Sequence, residues 1–519
     1  MAIKLLPHQE QLKEKLKGQH GVVVGWDLGS GKTIGSIAAA DQFGKATAIV
    51  PDSLRENFKK ELKAYKPKNR FEVESYERFT KHTPGDLQGR TLIFDESHRL
   101  RTSKSLRSQK AQAVAGKANK TILLTGTPIQ NEPSEIAPLI NVAAGRKVLP
   151  TDKREFNKEY VYHERSNPNV FLRMLGAKRK DEYHAKNLDK FQAKVSPYYV
   201  HYKPVNDLNA PKVHNIDVKV EMTPLQTEVY HTLEKKLPGE VRKSIEQSLP
   251  VDKRDIGKLN AFLSATRQVA NTSERFYNAG KTQYSPKLLN IAKNVKNSPG
   301  NALIYSNYLE AGTKPLSELL TAANVPHGVF TGEINDKEKK SLVNAYNKGK
   351  IKALIVSSSG GEGLDLKNTR QVHITEPHWN EAKIDQVVGR SIRFGSHTKL
   401  KPEDRTVDIF RYESMLPEAR KGFLWTRKER PVSADQYLDN MSKKKERLNE
   451  EFMSTLKKVG FTKHAMDMDF LPFVDDIAGF AIKLFRKQQG PTLPGTPPQQ
   501  KPNQPQAPNI NRLTRPMGM

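Results

Sequence analysis

Hydrophobic and polar positions between residues 21 and 142 alternate between short apolar runs and amphipathic stretches. The apolar runs predict buried strands at Gly21–Gly25, Thr47–Val50, Phe71–Ser75, Thr91–Asp95 and Thr121–Thr125. The amphipathic stretches predict helices at Lys32–Phe43, Ser53–Ala64 and Ser105–Gly116. Strands that alternate with helices in this way predict a parallel sheet with helices on both faces.

A second pattern of the same kind begins near residue 300. It predicts strands at Asn301–Ser306, His327–Thr331, Ala353–Ser357 and Val372–Thr375, and helices at Ala311–Ala323, Asp336–Tyr346 and Ala382–Gly389. The stretch from Gly145 to Pro204 is basic and polar, with few strand signals, and helical patterns follow at Leu225–Leu237 and Ile256–Asn271. The fold class is therefore predicted to be α/β, with two parallel-sheet lobes and a mainly helical insertion between them.

The C-terminal region changes character twice. Ser433–Lys458 predicts one long charged helix with an apolar stripe. After Lys487 the chain is rich in Pro, Gln and Asn, which predicts a disordered tail that is either inert or a tether for a protein partner. The predicted division is a first lobe at 1–145, a mainly helical region at 146–284, a second lobe at 285–432, a helical segment at 433–487 and the tail at 488–519.

The charge of the chain favours a polyanionic partner. The formal net charge is +29, and the simplest partner for such an excess is nucleic acid. There is no cysteine, which excludes disulfides, zinc–cysteine sites and thiol catalysis. No apolar run approaches the ~20 residues that a membrane span needs, and the N-terminus lacks the apolar core of a signal peptide. We therefore expect no membrane partner and an intracellular location, in the cytoplasm or nucleus of a host cell or packaged in a virion, with no secretion.

A glycine-rich turn between the first predicted strand and a helix carries the first chemical signal. The segment Gly25–Thr33 reads Gly-Trp-Asp-Leu-Gly-Ser-Gly-Lys-Thr. Backbone N–H groups of such a turn and the positive end of the following helix bind phosphate. Lys32 is predicted to reach the β- and γ-phosphates, and Thr33 to hold Mg²⁺. Trp26 stands where the full phosphate-loop pattern has its first glycine, so the turn alone is a moderate signal.

Two further signals follow strands of the same predicted sheet. Asp95 and Glu96 come at the end of a buried strand, where Asp95 would bind Mg²⁺ and Glu96 would orient or deprotonate the attacking water. Another strand runs into the turn Thr125–Asn131, whose hydroxyls and free backbone groups could sense the γ-phosphate. Taken alone, Asp95 and Glu96 are more simply a polar turn after a strand, and the turn Thr125–Asn131 is compatible with an ordinary turn; the preceding phosphate-loop signal reverses the balance for the acid pair.

The second lobe carries a glycine-rich loop and an arginine pair. The segment Ser357–Leu366 follows a strand, and its small residues permit close approach to a phosphate. Arg390 and Arg393 lie three residues apart, on one face if the segment is helical. Across a cleft between the lobes they could neutralise charge that develops on the γ-phosphate, as an arginine finger does.

In this order the motifs resemble those of the superfamily 2 helicases and translocases, above all the Swi/Snf-type DNA-dependent ATPases. The resemblance covers roughly residues 5 to 415. It rests on Pro7-His8-Gln9, Asp27–Thr33, Val50–Leu54 with Asn57–Glu61, Asp95–His98, Thr125–Asn131, Leu259–Asn271, Ser285-Pro286-Lys287, Gly360–Leu366 and Gln386–Arg393. That group's variant of the phosphate loop also lacks the first glycine, which would account for Trp26.

The resemblance implies two RecA-like lobes, with ATP and Mg²⁺ bound between them. It implies a nucleotide site built from Gln9, Gly29, Ser30, Gly31, Lys32, Thr33, Gly363 and Asp365, and catalysis by Lys32, Asp95, Glu96, Gln386, Arg390 and Arg393. Thr33 and Asp95 would hold the Mg²⁺. Asp365 stands where the group usually has Asn, and Gly389–His397 is more similar to the versions of large DNA viruses and some phages than to chromatin remodellers.

The function implied is ATP hydrolysis coupled to translocation along double-stranded DNA, which is bound mainly through its phosphates. Two alternatives stay open at this point. A strand-separating helicase acting on DNA or RNA shares the motifs. A non-catalytic nucleic-acid-binding scaffold would have lost some of the catalytic residues, and all of them are present here.

Overall fold

The computed structural model of the protein describes residues 4–27, 30–82, 84–166, 180–203, 211–273, 285–357, 364–379, 381–389, 391–392, 395–421 and 427–459. All of them belong to one compact unit, Met1–Phe461. No helix within these ranges has both the length and the apolar character to cross a membrane. The predicted tail at 488–519 lies outside the described residues.

The secondary structure alternates as the hydrophobic pattern predicts. In chain order the strands are β1 (Gly21–Trp26), β2 (Ala46–Val50), β3 (Phe71–Ser75), β4 (Thr91–Phe94), β5 (Lys120–Leu124), β6 (Val161–Ser166), β7 (Lys180–Ala185), β8 (Tyr199–Tyr202), β9 (Lys212–Glu221), β10 (Asn301–Ser306), β11 (His327–Phe330), β12 (Ala353–Ser357), β13 (Thr369–Ile374), β14 (Thr406–Met415), β15 (Ala419–Lys421) and β16 (Arg427–Glu429). The α-helices are α1 (Pro7–Gly18), α2 (Lys32–Ala40), α3 (Arg55–Tyr65), α4 (Tyr76–Phe79), α5 (Leu106–Ala115), α6 (Ile136–Ala144), α7 (Lys153–Tyr160), α8 (Leu188–Val195), α9 (Pro224–Glu234), α10 (Gly239–Glu246), α11 (Ile256–Asn271), α12 (Pro286–Asn297), α13 (Lys314–Ala322), α14 (Asp336–Asn347), α15 (Glu381–Gly389) and α16 (Ala434–Lys458).

The strands form two six-stranded sheets in which every pair of neighbours is parallel. The first lobe has the order β3-β2-β4-β5-β1-β8, and the second has the order β11-β12-β10-β13-β14-β9. In the first sheet β5 lies between β4 and β1. The segments that follow these three strands therefore leave the sheet at one edge, which is where ligands bind in open parallel sheets.

Helices cover both faces of each sheet, so central strands such as β1 and β10 are buried on both faces. In β1, Val22 and Val24 pack into one buried cluster, while Val23 points to the other face and packs into a second cluster. In β10, Leu303 and Ile304 divide in the same way. The prediction of an α/β fold with two parallel-sheet lobes is confirmed.

The region between the lobes contains more strand than the sequence pattern indicates. β6 and β7 form an antiparallel hairpin, β8 adds to the first sheet beside β1, and β9 adds to the second sheet beside β14. The prediction of helices with few strands missed them for two reasons. β8 has only four residues, and β9 is an edge strand with a largely exposed side, so neither forms a continuous apolar run.

The long helix α16 has the predicted bounds. Ser433 caps it by accepting a hydrogen bond from the Gln436 amide, while the Gln436 side chain accepts one from the Ser433 amide. Its first half packs through Tyr437 and Leu438 into a cluster formed with α9, α10 and α11. Its second half packs through Phe452 into a core of the first lobe. One helix is thus anchored at both ends on different parts of the fold.

Candidate nucleotide-hydrolysis site

The turn after β1 depends on a left-handed backbone position at its end. Gly31 has a φ of 72° and immediately precedes α2, which begins at Lys32. A Cβ atom on Gly31 would lie 2.6 Å from the Gln9 side-chain nitrogen. Only glycine meets both demands, because other residues rarely adopt this φ and would collide with Gln9. The amide groups at the start of α2 are thereby presented to the edge of the sheet.

Helix α1 fixes the other side of this turn. The Gln9 side chain donates a hydrogen bond to the Gly31 carbonyl (3.0 Å) and accepts one from the Leu6 amide (2.8 Å). The neighbouring His8 donates from Nε2 to the Ser30 carbonyl (2.8 Å) and stacks on Tyr202, with ring centroids 3.8 Å apart. Burial lowers the pKa of His8. Gln9 therefore braces the glycine-rich turn between β1 and α2, which we call the cradle. Its contact with an adenine ring stays a prediction.

Trp26 explains the missing first glycine of the loop. Its side chain is completely buried in the core between β1 and α2. A Cβ atom on Gly35, one turn into α2, would lie 3.2 Å from the Trp26 ring. Trp26 thus packs the start of the turn into the core, and the absence of a side chain at Gly35 leaves space for its indole ring.

Lys32 points back over the turn. Its ammonium group donates to the carbonyl oxygens of Trp26 (2.8 Å) and Asp27 (3.0 Å). Burial lowers the pKa of Lys32, and the nearby carboxylates of Glu96, Asp95 and Asp27 oppose that shift. The lysine is therefore a buried cation beside three acids, held over the turn where phosphate is expected.

Asp95 and Glu96 follow β4 at the same edge of the sheet. Asp95 Oδ1 accepts a hydrogen bond from the Glu96 amide (2.9 Å), and its carbonyl accepts one from the buried Tyr76 hydroxyl (2.7 Å). Burial, reinforced by repulsion from Glu96, raises the pKa of Asp95 to about 7. Glu96 adopts a φ of 48° and lies 3.2 Å from His98 Nδ1. Two adjacent half-buried acids therefore share one nearby cation, Lys32, and the site favours additional positive charge.

The chemistry of these donors fits Mg²⁺. Hard oxygen ligands suit this ion, and a buried carboxylate that is costly to ionise alone becomes favourable beside a divalent cation. Asp95 offers such a carboxylate, and Thr33 offers a hydroxyl at the start of α2. The assignment of these two side chains as the Mg²⁺ ligands stays a prediction.

The turn after β5 lies against Lys32. A Cβ atom on Gly126 would be 4.0 Å from the Lys32 ammonium nitrogen. Thr125 Oγ1 accepts from the Thr127 amide at 3.1 Å, which closes the turn. Farther on, the Glu135 carboxylate accepts from the amides of Gln130 and Asn131, both at 2.8 Å. The three segments that the sequence singled out in the first lobe therefore meet at one edge.

Only part of the predicted nucleotide-binding site on the second lobe lies within the described residues. Gln386 is half-buried on α15, and Asp365 is exposed, with its carbonyl accepting from the Asn347 side chain at 2.9 Å. Gly29 in the first lobe and Gly363, Arg390 and Arg393 in the second lie outside the described residues. Their predicted roles stay predictions.

The residues that mark the start of the second lobe build a buried junction. Lys287 and Asp435 are both about 1% exposed, and their charged groups lie 3.4 Å apart. Asp435 also accepts from the Ser414 amide at 2.9 Å and lies 3.8 Å from Arg267. The family resemblance singled out the segments that contain Arg267 and Lys287. It did not single out Asp435, because the partners of this residue come from helices that are distant in the sequence.

Comparison with known proteins places this chain in a family. The family model of the SNF2-related domain matches residues 73–275, and that of the helicase conserved C-terminal domain matches residues 281–395. A mimivirus protein named as an ATP-dependent RNA helicase is 32% identical over 458 residues, which is 86% of this chain and 94% of that protein. The chain belongs to the SNF2-related helicase-like ATPases. It is an ATP hydrolase with the two-lobed core of that family, and the predicted resemblance is confirmed.

Other similar proteins come from viruses and archaea. A termination factor NPH-I homolog of African swine fever virus is 26% identical, covering 84% of this chain and 75% of that protein. Among solved structures, a Sulfolobus solfataricus SWI2/SNF2 ATPase core in complex with double-stranded DNA is 17% identical, covers 80% and 88% of the two chains and has a TM-score of 0.35. The Pyrococcus furiosus Hef helicase domain is 14% identical, covers 78% and 95% and has a TM-score of 0.44.

Proposed function

We propose that this SNF2-type ATPase hydrolyses ATP at the edge of the first sheet and uses the energy to move along double-stranded DNA. The observation that carries the site assignment is the meeting of Lys32, Asp95 and Glu96 at one edge, with Asp95 half-buried and its pKa raised. Acids with a perturbed pKa that cluster at the end of a buried strand beside a glycine-rich phosphate-binding turn are the arrangement expected of a functional site.

The side chains divide the work as follows. Lys32 leaves the carbonyls of Trp26 and Asp27 to bind the β- and γ-phosphates. Glu96 accepts a proton from water as the water oxygen bonds to the γ-phosphorus, and the bond to the β–γ bridging oxygen breaks to release ADP. Thr33 and Asp95 would hold Mg²⁺, which when bound would supply positive charge beside the phosphate oxygens. Arg390, Arg393 and Gln386 complete the site from the second lobe, and Gly363 and Asp365 approach the nucleotide.

Double-stranded DNA is the proposed partner because of the family and the net charge of +29. Contacts through phosphates would make binding fall steeply with salt and vary little with sequence. Strand separation on RNA is the second candidate, since the mimivirus relative carries the name of an RNA helicase. The viral relatives support action inside a host cell. The segment 488–519 is proposed as either an inert tail or a tether for a protein partner.

The deciding experiment measures ATP hydrolysis by the full chain with no nucleic acid, duplex DNA, single-stranded DNA or RNA. Stimulation by duplex DNA, with displacement of a triplex-forming strand and no separation of a duplex, supports the translocase. Greater stimulation by single strands or RNA, with strand separation, replaces it by the helicase. Hydrolysis that no nucleic acid stimulates overturns both.

A further inference from the structure

The long helix α16 carries, at its middle, a lysine that bonds to both lobes. Lys445 donates from Nζ to the Asn131 side-chain oxygen in the first lobe (3.0 Å). The same ammonium group donates to the Trp379 carbonyl in the second lobe (3.2 Å). One nitrogen can keep both bonds only while the two acceptors stay within a few ångströms of each other. The contact is therefore specific to one relative arrangement of the lobes.

The environment of Lys445 indicates that these bonds matter. The side chain is half-buried, and burial lowers its pKa while the carboxylates of Glu135 and Glu132 oppose that shift. A buried ammonium group is costly unless it is hydrogen-bonded and near acids. Asn449, one turn farther along α16, adds a donor to the Gln130 carbonyl at 3.3 Å. Helix α16 thus contacts the turn after β5 at two successive residues, through the Gln130 carbonyl and the Asn131 side chain.

On the first-lobe side, the contacts lead back to the hydrolysis site. Asn131 is held by Glu135, which accepts from the Asn131 amide (2.8 Å) and from its side-chain nitrogen (3.1 Å). Arg101 lies 3.6 Å from the same carboxylate. Arg101 comes directly after the short helical turn that begins at Ser97, next to Glu96. Polar contacts therefore join Asn131 to Arg101, and the short helical turn of the chain joins Arg101 to the acid pair.

On the second-lobe side, the contact ends beside a predicted catalytic helix. Trp379 lies two residues before α15, which carries Gln386. Its ring packs edge-on against Tyr437 of α16, with centroids 6.2 Å apart. A displacement of α16 relative to the second lobe would act on Trp379 through both its carbonyl and its ring.

We propose that Lys445 is a positioning residue that couples the state of the first-lobe site to the arrangement of the second lobe. It does so by bonding Asn131 and the Trp379 carbonyl at once. The proposal deepens the proposed function and rests on it. ATP hydrolysis shifts the turn after β5, and Lys445 transmits this shift to the segment that precedes α15. A physical path alone does not demonstrate coupling, so a double-mutant cycle is needed.

The test uses Lys445→Met in the full chain, which keeps most of the side-chain volume and removes the donor. Lys444→Met is the matched control, because Lys444 lies on the same helix but donates only to the Ser248 carbonyl (2.8 Å) among the described residues. We measure basal kcat, kcat with the most stimulating nucleic acid, and triplex displaced per ATP. Lys445→Met should keep basal kcat within about twofold and lower the stimulation ratio by about five- to twentyfold, a range typical of coupling between sites.

Two additional variants separate coupling from packing. Lys445→Arg should restore most of the stimulation ratio, because it retains a donor. Asn131→Ala combined with Lys445→Met should be no worse than the more damaging single change, since both interrupt one path. Equal losses of basal and stimulated kcat, or an equal effect of Lys444→Met, would overturn the proposal. Failure of the wild-type chain to displace a triplex would overturn translocation alone, because the stimulation ratio still tests Lys445.

Discussion

Two aspartates, Asp95 at the candidate hydrolysis site and Asp435 in the first turn of α16, have opposite surroundings. Asp95 lies next to another acid, and burial raises its pKa to about 7. Asp435 lies between Lys287 and Arg267 and accepts a backbone hydrogen bond from Ser414. At the first site three acids share one lysine, so a bound cation would be favourable there, whereas the second carboxylate is paired by cations of its own chain. An excess of acid is expected of a cation-binding site, and a matched pair is expected of a structural contact.

The largest effect is expected at the acid pair. Glu96→Gln should lower ATP turnover by about a thousandfold or more, at the upper end of what loss of a positioned base and its charge produces. Folding stability and DNA binding should change little, because Glu96 is a half-buried residue at the edge of the sheet. Steady-state hydrolysis, thermal unfolding and duplex binding are measured side by side. Lys32→Ala should behave in the same way, and turnover that survives either change would refute the site assignment.

The next effect is on stability at the junction. Asp435→Asn should destabilise folding by about 3–5 kcal/mol, because it leaves the Lys287 ammonium group buried and unpaired. Urea unfolding measures the loss. The matched control is Asp435→Leu with Lys287→Met, which removes both charges of this pair while Arg267 keeps its hydrogen bond to the Pro377 carbonyl, and it should recover part of the stability. If the double variant were as unstable as the single one, the ion pair would not be the cause.

A third buried group predicts how stability depends on pH. His373 is fully buried on β13, with its ring nitrogens facing the Tyr412 hydroxyl (3.0 Å) and the Gln371 side-chain oxygen (3.1 Å). Burial lowers its pKa to about 3. The unfolded chain, with a histidine pKa near 6.5, therefore binds the proton first as the pH falls. This group should cost about 1.4 kcal/mol of folding stability per pH unit between roughly pH 6 and pH 4.

The variant His373→Gln isolates this contribution. Its unfolding free energy should depend less on pH in that window than that of the wild-type chain, whatever its absolute stability. Urea unfolding at several pH values gives the two slopes. Identical slopes would show that His373 is not the group that titrates.

The smallest effect is expected at the brace of the cradle. Gln9→Ala removes the hydrogen bond to the Gly31 carbonyl, which contributes on the order of 1 kcal/mol. We expect the KM for ATP to rise by about fivefold with kcat nearly unchanged. Measuring the KM for GTP as well as for ATP separates the two possible roles of Gln9, which are bracing the turn and contacting the adenine base. An equal loss for both nucleotides indicates the brace, whereas a loss confined to ATP indicates contact with the base.

Much of the fold was readable from the residues because parallel sheets are buried on both faces. The run Gly21–Gly25 is apolar throughout, the run Asn301–Ser306 is apolar at its four inner residues, and both are central strands. The start of α16 could be predicted from Ser433, because helix capping is a local interaction between residues close in sequence. The strands β8 and β9 were not predicted. A strand of four residues and a half-exposed edge strand contain no continuous apolar run that would mark them in the sequence.

The candidate site divides in the same way. Lys32, Asp95 and Glu96 were recognisable because phosphate and Mg²⁺ chemistry requires these residue types at fixed positions after a strand. Their meeting at one edge follows from the order β4-β5-β1, which only the folded sheet reveals. The predictions for Gly29, Gly363, Arg390 and Arg393 lie outside the described residues and stay predictions.

The sequence by itself determined the local chemistry, the two α/β patterns, the long C-terminal helix and the family. These depend on residue types at short spacing, where periodicity and capping act. Only the tertiary structure decided which distant groups meet. Asp435 pairs with Lys287, which lies 148 positions away in the chain, and Lys445 bonds Asn131, which lies 314 positions away. Such pairs are set by how helices pack on sheets, and no local pattern in the chain encodes them.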